Sequence, residues 1–135
     1  MKPEERAMQN LEQIRAENAL VATGHKPPPN SSQRVAPVEE KAVTKLPAMI
    51  VNNGLLAAAA FARDKDPKLR NAMDAVAQHL ADRRIGRLSA QSTSTDALIA
   101  ELASSPSENL RLASEEALAY LSFLKRFAVK SDREN

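Results

Sequence analysis

Residues 46–62 read LPAMIVNNGLLAAAAFA and form the longest uncharged run of the chain. The run falls short of the roughly 20 apolar residues that a membrane-spanning helix needs, and it contains Pro47 and Gly54. It is apolar on nearly all sides of a helix, which is typical of a helix that others surround. We therefore predict a central helical region from about Val38 to Arg63. Pro47 should bend or interrupt it, and Gly54 should allow close approach of another backbone.

Apolar residues recur at helical spacing in four other stretches, namely 3–22, 67–84, about 95–102 and 107–129. Asp66 and Pro67 are a strong helix start, with aspartate as N-cap and proline at the first helical position. Residues at about 23–37 include Pro27, Pro28 and Pro29 and predict a long mobile connector. The polar tail at 131–135 should be flexible. The pattern predicts an all-α fold in a single domain spanning 1–135.

Composition excludes several kinds of protein. Polar and β-branched residues never alternate over a useful stretch, so no strand is predicted. The absence of cysteine excludes disulfides, thiolate metal sites and thiol catalysis, and it suits a reducing compartment. The first residues lack the apolar stretch of a signal peptide. We therefore expect a cytoplasmic protein.

No catalytic or metal-binding constellation is visible. His25 and His79 stand far apart in the sequence, and His79 is expected on the flank of the third helix. The three glycines are isolated, so there is no phosphate-binding loop. Glu115 and Glu116 are adjacent on a helix and point about 100° apart, so they form no carboxylate pair. We predict no catalytic residue, no metal site and no cofactor.

Basic residues remain as candidates for binding. The net charge is only +2, but residues 63–87 are basic and residues 88–110 are acidic, so one region could meet a polyanion and the other a neighbouring protein. The candidates lie at the end of the third helix and on one polar arc of the last helix: Arg83, Arg84, Arg87, Arg111, Lys125 and Arg126. The same cations also suit helix C-termini and an ordinary solvated surface. Because aromatic residues are few, an RNA contact would use phosphates rather than base stacking.

Two blocks of sequence carry a family resemblance. Residues 45–55 (KLPAMIVNNGL), followed by AAAF at 58–61, and residues 114–128 (SEEALAYLSFLKRFA) resemble two helices of the small α-helical subunit of the Cmr-type (type III-B) CRISPR RNA-guided effector complex. The blocks occur in the family's order and spacing. Phe123 stands where tryptophan is usual in the family, and the proline run at 27–29 is not a feature of it.

The resemblance implies a compact bundle of about five to six helices and a non-catalytic subunit. It implies stacking with copies of itself in a minor filament beside the backbone subunit, and phosphate contacts with guide and target RNA, with neither a membrane nor a small-molecule substrate as partner. Lys45, Lys125 and Arg126 lie in the matching motifs. Two other interpretations stay open: a helical protein-interaction adaptor without nucleic-acid contact, and a DNA-binding regulator, for which no recognition helix is evident.

Overall fold

The computed structural model describes residues 9–28 and 36–128. Within them the chain forms six helices and no sheet, which confirms the all-α bundle. The helices are α1 (Leu11–Ala22), α2 (Glu40–Asn53), α3 (Leu55–Lys65), α4 (Pro67–Ala81), α5 (Thr95–Ala103) and α6 (Ser107–Phe127).

Helix α4 is the centre of the bundle, because it packs against α1, α2, α3, α5 and α6. Its predicted apolar stripe is buried throughout, at Leu69, Ala72, Met73, Val76 and Leu80. The prediction that residues 38–63 form the centre is wrong. Val51 is 70 % exposed and Phe61 is 43 % exposed, so α2 and α3 each turn one face away from the core. An uncharged run does not require burial on every side, since apolar atoms supply much of any protein surface.

The break between α2 and α3 falls at Gly54 and not at Pro47. Helix α2 continues through Pro47, which costs one backbone donor. Gly54 has φ +96° and ψ 157°, a backbone region that is essentially restricted to glycine. A Cβ built at Gly54 would meet nothing within 4 Å, so the predicted close approach is also wrong. Glycine is needed here for the turn itself.

Helix α1 has a defined cap at each end. Asn10 and Gln13 form a capping box, with Gln13 N donating to Asn10 Oδ1 at 2.9 Å and Asn10 N to Gln13 Oε1 at 3.0 Å. Since Asn10 is extended, the predicted continuous helix from Pro3 is wrong. At the other end Gly24 has φ +85°, and the N–H of the next residue, His25, donates to Leu20 O at 2.9 Å. This is a left-handed C-terminal cap, a conformation to which glycine is suited.

The described ends of the connector are held against the bundle. Val38 is fully buried and its N–H donates to Ala22 O at 3.0 Å. The ring of His25 meets the ring of Phe127 edge-on at 6.3 Å, so the ends of α1 and α6 lie together. The rest of the predicted mobile connector, residues 29–35, and the predicted flexible tail, 131–135, lie outside the described residues.

Candidate functional site

Three of the predicted cations lie in the turn that follows α4. The helix ends at Ala81, so Arg83 lies beyond the buried stripe of α4, because helical phase does not extend past the last helical residue. Asp82 O accepts from Ile85 N and Gly86 N at 2.8 Å and closes the turn. Arg83 and Arg87 are exposed and make no ion pair with any described residue.

Arg84 is held by carboxylates. Its Nη2 lies 2.7 Å from Asp82 Oδ2 and its Nη1 lies 2.9 Å from Glu17 Oε1, while Nη1 also donates to Gln9 at 2.8 Å. The hydrogen bonds that Arg84 donates to Asp82 are the main reason that the pKa of Arg84 is raised. Burial would raise the pKa of Asp82, but the hydrogen bonds from Arg84 outweigh it and lower that pKa to about 2. Arg84 therefore fastens the turn to α1.

The remaining predicted cations lie on α2 and α6. Lys45, Lys125 and Arg126 are exposed and make no ion pair within the described part of the chain. Arg111 is also exposed but pairs with Glu108 and with Glu115, each at 2.7 Å. It lies about 21 Å from Lys125 along the helix axis, at 1.5 Å for each residue. The seven candidates therefore do not form one cluster.

Helix α1 links the turn after α4 to the end of α6. Glu17 receives both Arg84 Nη1 at 2.9 Å and Lys26 Nζ at 3.0 Å. Lys26 follows His25, whose ring contacts Phe127 beside Arg126. The turn that carries Arg83 and Arg87 is thus joined to α1 through Arg84. The end of α6, which carries Lys125 and Arg126, is joined to the residues after α1 through the contact of His25 with Phe127.

The acidic region at 88–110 is engaged within the chain. Asp96 pairs with Arg70 at 3.3 Å, and Glu101 Oε1 accepts from Ser92 Oγ at 2.6 Å. Glu108 pairs with Arg111. Because all three acids have partners, the simple picture of a free acidic surface for a neighbour does not follow from the charge pattern.

Sequence reasoning missed a buried polar cluster, which we call the Glu116 cluster: Arg15, Asn18, His79, Glu116 and Tyr120. Glu116 accepts from Arg15 Nε at 2.7 Å and Arg15 Nη2 at 2.8 Å, and it lies 2.9 Å from His79 Nε2. The ring of Tyr120 stacks on that of His79, with centroids 3.9 Å apart and planes 3° apart. His79 is therefore buried, and its expected place on the helix flank is wrong.

The hydrogen bonds fix the state of His79. Asn18 Nδ2 lies 3.0 Å from Asp82 Oδ2 and 2.9 Å from His79 Nδ1. Since that amide nitrogen donates, Nδ1 accepts, and Nε2 carries the proton that it donates to Glu116. Burial lowers the pKa of His79, so its ring is neutral. The pKa of Glu116, which burial alone would raise, is lowered to about 2 by Arg15 and His79. Both ring nitrogens are occupied, which leaves none for a metal ion.

A signal for this cluster exists in the helical phase. His79 lies within about 20° of Ala72 on α4, and Glu116 lies about 40° from Tyr120 on α6, so both belong to buried faces. Their partner Arg15 is 101 residues from Glu116 in the sequence, and no local pattern indicates that pairing.

These features define the class of protein. Within residues 9–28 and 36–128, no group of three or more histidine, cysteine, aspartate or glutamate side chains could hold a metal ion. No described helix is long and apolar enough to cross a membrane. The described residues form an all-α bundle whose interior charges are paired and whose surface carries several cations without an ion pair.

The chain belongs to the Cas_Cmr5 family of CRISPR-associated proteins, whose family model matches residues 11–130. That match covers both resembling blocks and nearly all of the chain, and it confirms the resemblance to the small subunit of the Cmr-type (type III-B) complex. The chain is thus a CRISPR-associated Cmr subunit. Neither the curated proteins nor the solved structures contain a match to it.

Proposed function

We propose that the chain is a non-catalytic scaffold subunit in the cytoplasm, which stacks with copies of itself beside the backbone subunit and contacts the phosphates of guide and target RNA. Five of the seven predicted cations would make these contacts: Lys45, Arg83, Arg87, Lys125 and Arg126. The observation that carries the proposal is their exposure without an ion pair among the described residues.

The contrast between paired and unpaired cations supports this choice. An exposed cation without a carboxylate attracts a phosphate with its full charge, whereas Arg84 would first have to leave Asp82 and Glu17. Arg111 stands between these cases, because its two carboxylates are solvent-exposed and solvent screens such pairs. We therefore place Arg111 second to the five and assign Arg84 mainly to holding the turn.

The salt dependence of RNA capture tests the phosphate contacts. Each phosphate contact on a single strand contributes about −0.7 to the slope of log affinity against log salt concentration. In a reconstituted effector complex, Arg126→Glu should weaken target-RNA capture and make this slope shallower by about 0.7. Lys65→Glu is the matched control, since Lys65 is also exposed and also lies in the last turn of a helix.

Equal losses for the two variants would mean that RNA responds only to total charge, and would contradict a contact at Arg126. Complexes with Lys125 and Arg126 both reversed that still capture RNA normally would remove both residues from the proposal. Circular dichroism of each variant establishes that it still folds.

The exposed apolar side chains support contact with other subunits. Val51 on α2 and Phe61 on α3 are large apolar residues in contact with water. Burying such a side chain stabilises an interface by about 1.5–3 kcal/mol. Val51→Asp should reduce the number of copies in the complex, measured by native mass, whereas Asn52→Asp on the same exposed turn should not. If Val51→Asp prevents assembly while no cation affects RNA capture, the adaptor interpretation is favoured.

A further inference from the structure

A cavity of about 460 Å³ opens beside the Glu116 cluster. Its walls come from α1, Pro28, the last turns of α4, the turn after α4, the loop before α5 and Tyr120 of α6. Pockets for small ligands have volumes of about 300–1,000 Å³, so one small molecule fits. The phosphate contacts proposed above leave this cavity without a role.

Tyr120 brings an unpartnered polar atom to the cavity. The residue is only 1 % exposed, and its hydroxyl makes no hydrogen bond with any described residue. No side-chain nitrogen or oxygen in the described part of the chain is both enclosed and unpaired, so this hydroxyl borders open space. The space that Tyr120 lines is the cavity. Buried tyrosine hydroxyls usually have a hydrogen-bond partner, so this hydroxyl is available to a polar group in the cavity.

The Glu116 cluster holds Tyr120 in place. Its ring stacks on His79, and His79 is fixed on both sides, by Asn18 at 2.9 Å and by Glu116 at 2.9 Å. The hydroxyl therefore points to one position without help from a ligand. Such preorganisation reduces the entropy that binding costs.

Two further polar side chains of the cavity are neutral and unpaired. Gln78 and Thr93 both line it, and the side chain of neither makes a hydrogen bond with a described residue. An amide and two hydroxyls can each donate and accept, and the wall between them is apolar, with Val21 and several alanines. This lining suits an uncharged part of a ligand that has hydrogen-bonding atoms along its edges and apolar faces.

One open cation borders the cavity. Arg83 is exposed and has no ion pair among the described residues, whereas Arg84 and Asp82 neutralise each other at 2.7 Å. A guanidinium binds phosphate through two parallel N–H groups. The cavity therefore matches a ligand whose uncharged part lies inside it and forms hydrogen bonds along its edges. A single anionic group of the same ligand would lie at the mouth of the cavity.

We propose that this cavity binds one nucleotide, with the base inside against Tyr120, Gln78 and Thr93 and the phosphate at Arg83. The inference rests on the proposed function in one respect, since RNA supplies nucleotides to this surface. Unstacked bases are recognised by hydrogen bonds to their edges. The nucleotide can be free or one unit of a strand, and both offer the same chemistry to these residues.

Titration with nucleotides tests the site. Tyr120 is the only tyrosine of the chain, so tyrosine-selective labelling gives one ring signal in an NMR spectrum. AMP, CMP, GMP and UMP are added separately to the full chain, followed by short oligoribonucleotides, and affinities are measured by calorimetry. We expect at least one ligand to shift the Tyr120 signal. Tyr120→Phe, which keeps the stacked ring, should weaken that ligand roughly two- to tenfold.

Arg83→Ala and Arg87→Ala are the matched pair, because both remove one exposed, unpaired cation from the same turn and Arg87 does not line the cavity. Arg83→Ala should weaken binding about tenfold and Arg87→Ala less than about twofold. If Tyr120→Phe does not fold, Gln78→Ala at a half-buried position takes its place. Equal effects of the two arginine variants, or binding without a Tyr120 shift, would overturn the proposal.

The two sources give different results. Binding of a mononucleotide shows that free nucleotides suffice, and binding of oligoribonucleotides alone, with sensitivity to Tyr120→Phe, shows that the site takes a base from a strand. Loss of RNA capture on Arg126→Glu with no response at Tyr120 refutes the cavity site and leaves the proposed function intact. The converse result refutes the phosphate surface and leaves the cavity.

Discussion

Substitution of Glu116 by glutamine tests whether the buried cluster stabilises the bundle. The change removes the negative charge of the Glu116 carboxylate. This carboxylate pairs with Arg15 Nε at 2.7 Å and accepts a hydrogen bond from His79 Nε2 at 2.9 Å. Lowering the pKa of Glu116 from 4.5 to about 2 corresponds to about 3 kcal/mol of stabilisation at neutral pH, at about 1.4 kcal/mol for each pH unit. Breaking a buried ion pair by removing one partner costs about 3–5 kcal/mol, in agreement.

Urea unfolding followed by circular dichroism at pH 7 measures the effect. We expect Glu116→Gln to lower the free energy of unfolding by about 3 kcal/mol. Glu115→Gln is the control, because the neighbouring carboxylate is 62 % exposed and pairs only at the surface, so its midpoint should hardly change. Adding Arg15→Met should recover part of the loss, since the unpaired guanidinium is then gone. Similar losses for Glu116→Gln and Glu115→Gln would refute the reasoning.

Two further predictions concern acid and the break at Gly54. Burial lowers the pKa of His79 from 6.5 in the unfolded chain, and the pKa of Glu116 is lowered from 4.5 to about 2. For a group whose pKa is lower in the folded state, the contribution to stability is complete above the unfolded pKa and is lost as the pH falls below it. Unfolding free energy measured at a series of pH values should therefore decline from about pH 6.5 downward, and a constant value down to pH 4 would contradict this. Gly54→Ala should cost about 1–3 kcal/mol because φ is +96°, and Gly86→Ala at φ +67° should cost less; the order of the two thermal midpoints checks the assignment.

Local signals predicted the helices well where a cap is chemically distinctive. Asp66 accepts from Lys68 N at 2.8 Å and Pro67 begins α4, as predicted. These assignments needed only the residues within one helical turn. The boundary at Gly54 was missed because Pro47 is the stronger breaker in general, yet proline keeps a helical φ while this glycine adopts a conformation that other residues avoid.

The centre of the bundle could not be identified from apolar content alone. Residues 46–62 are the most apolar stretch, but α4 makes contacts on more sides and buries His79 together with its alanines. Which helix is surrounded depends on how the others pack. Arg15 and Glu116 likewise meet only because α1 and α6 lie side by side. Long-range pairing of this kind is a property of the packed fold.

The candidate cations show how packing refines a prediction made from residue type. In sequence, Arg83, Arg84 and Arg87 are equivalent members of one basic cluster. In the fold, Arg84 pairs with the carboxylates of Asp82 in the turn and Glu17 on α1. Arg83 and Arg87 make no ion pair with a described residue. A substitution at Arg84 should therefore loosen the turn from α1, and a substitution at Arg83 or Arg87 should change only what the turn binds. Under the proposed function, the cations that the fold leaves without an ion pair are the ones expected to contact an anion.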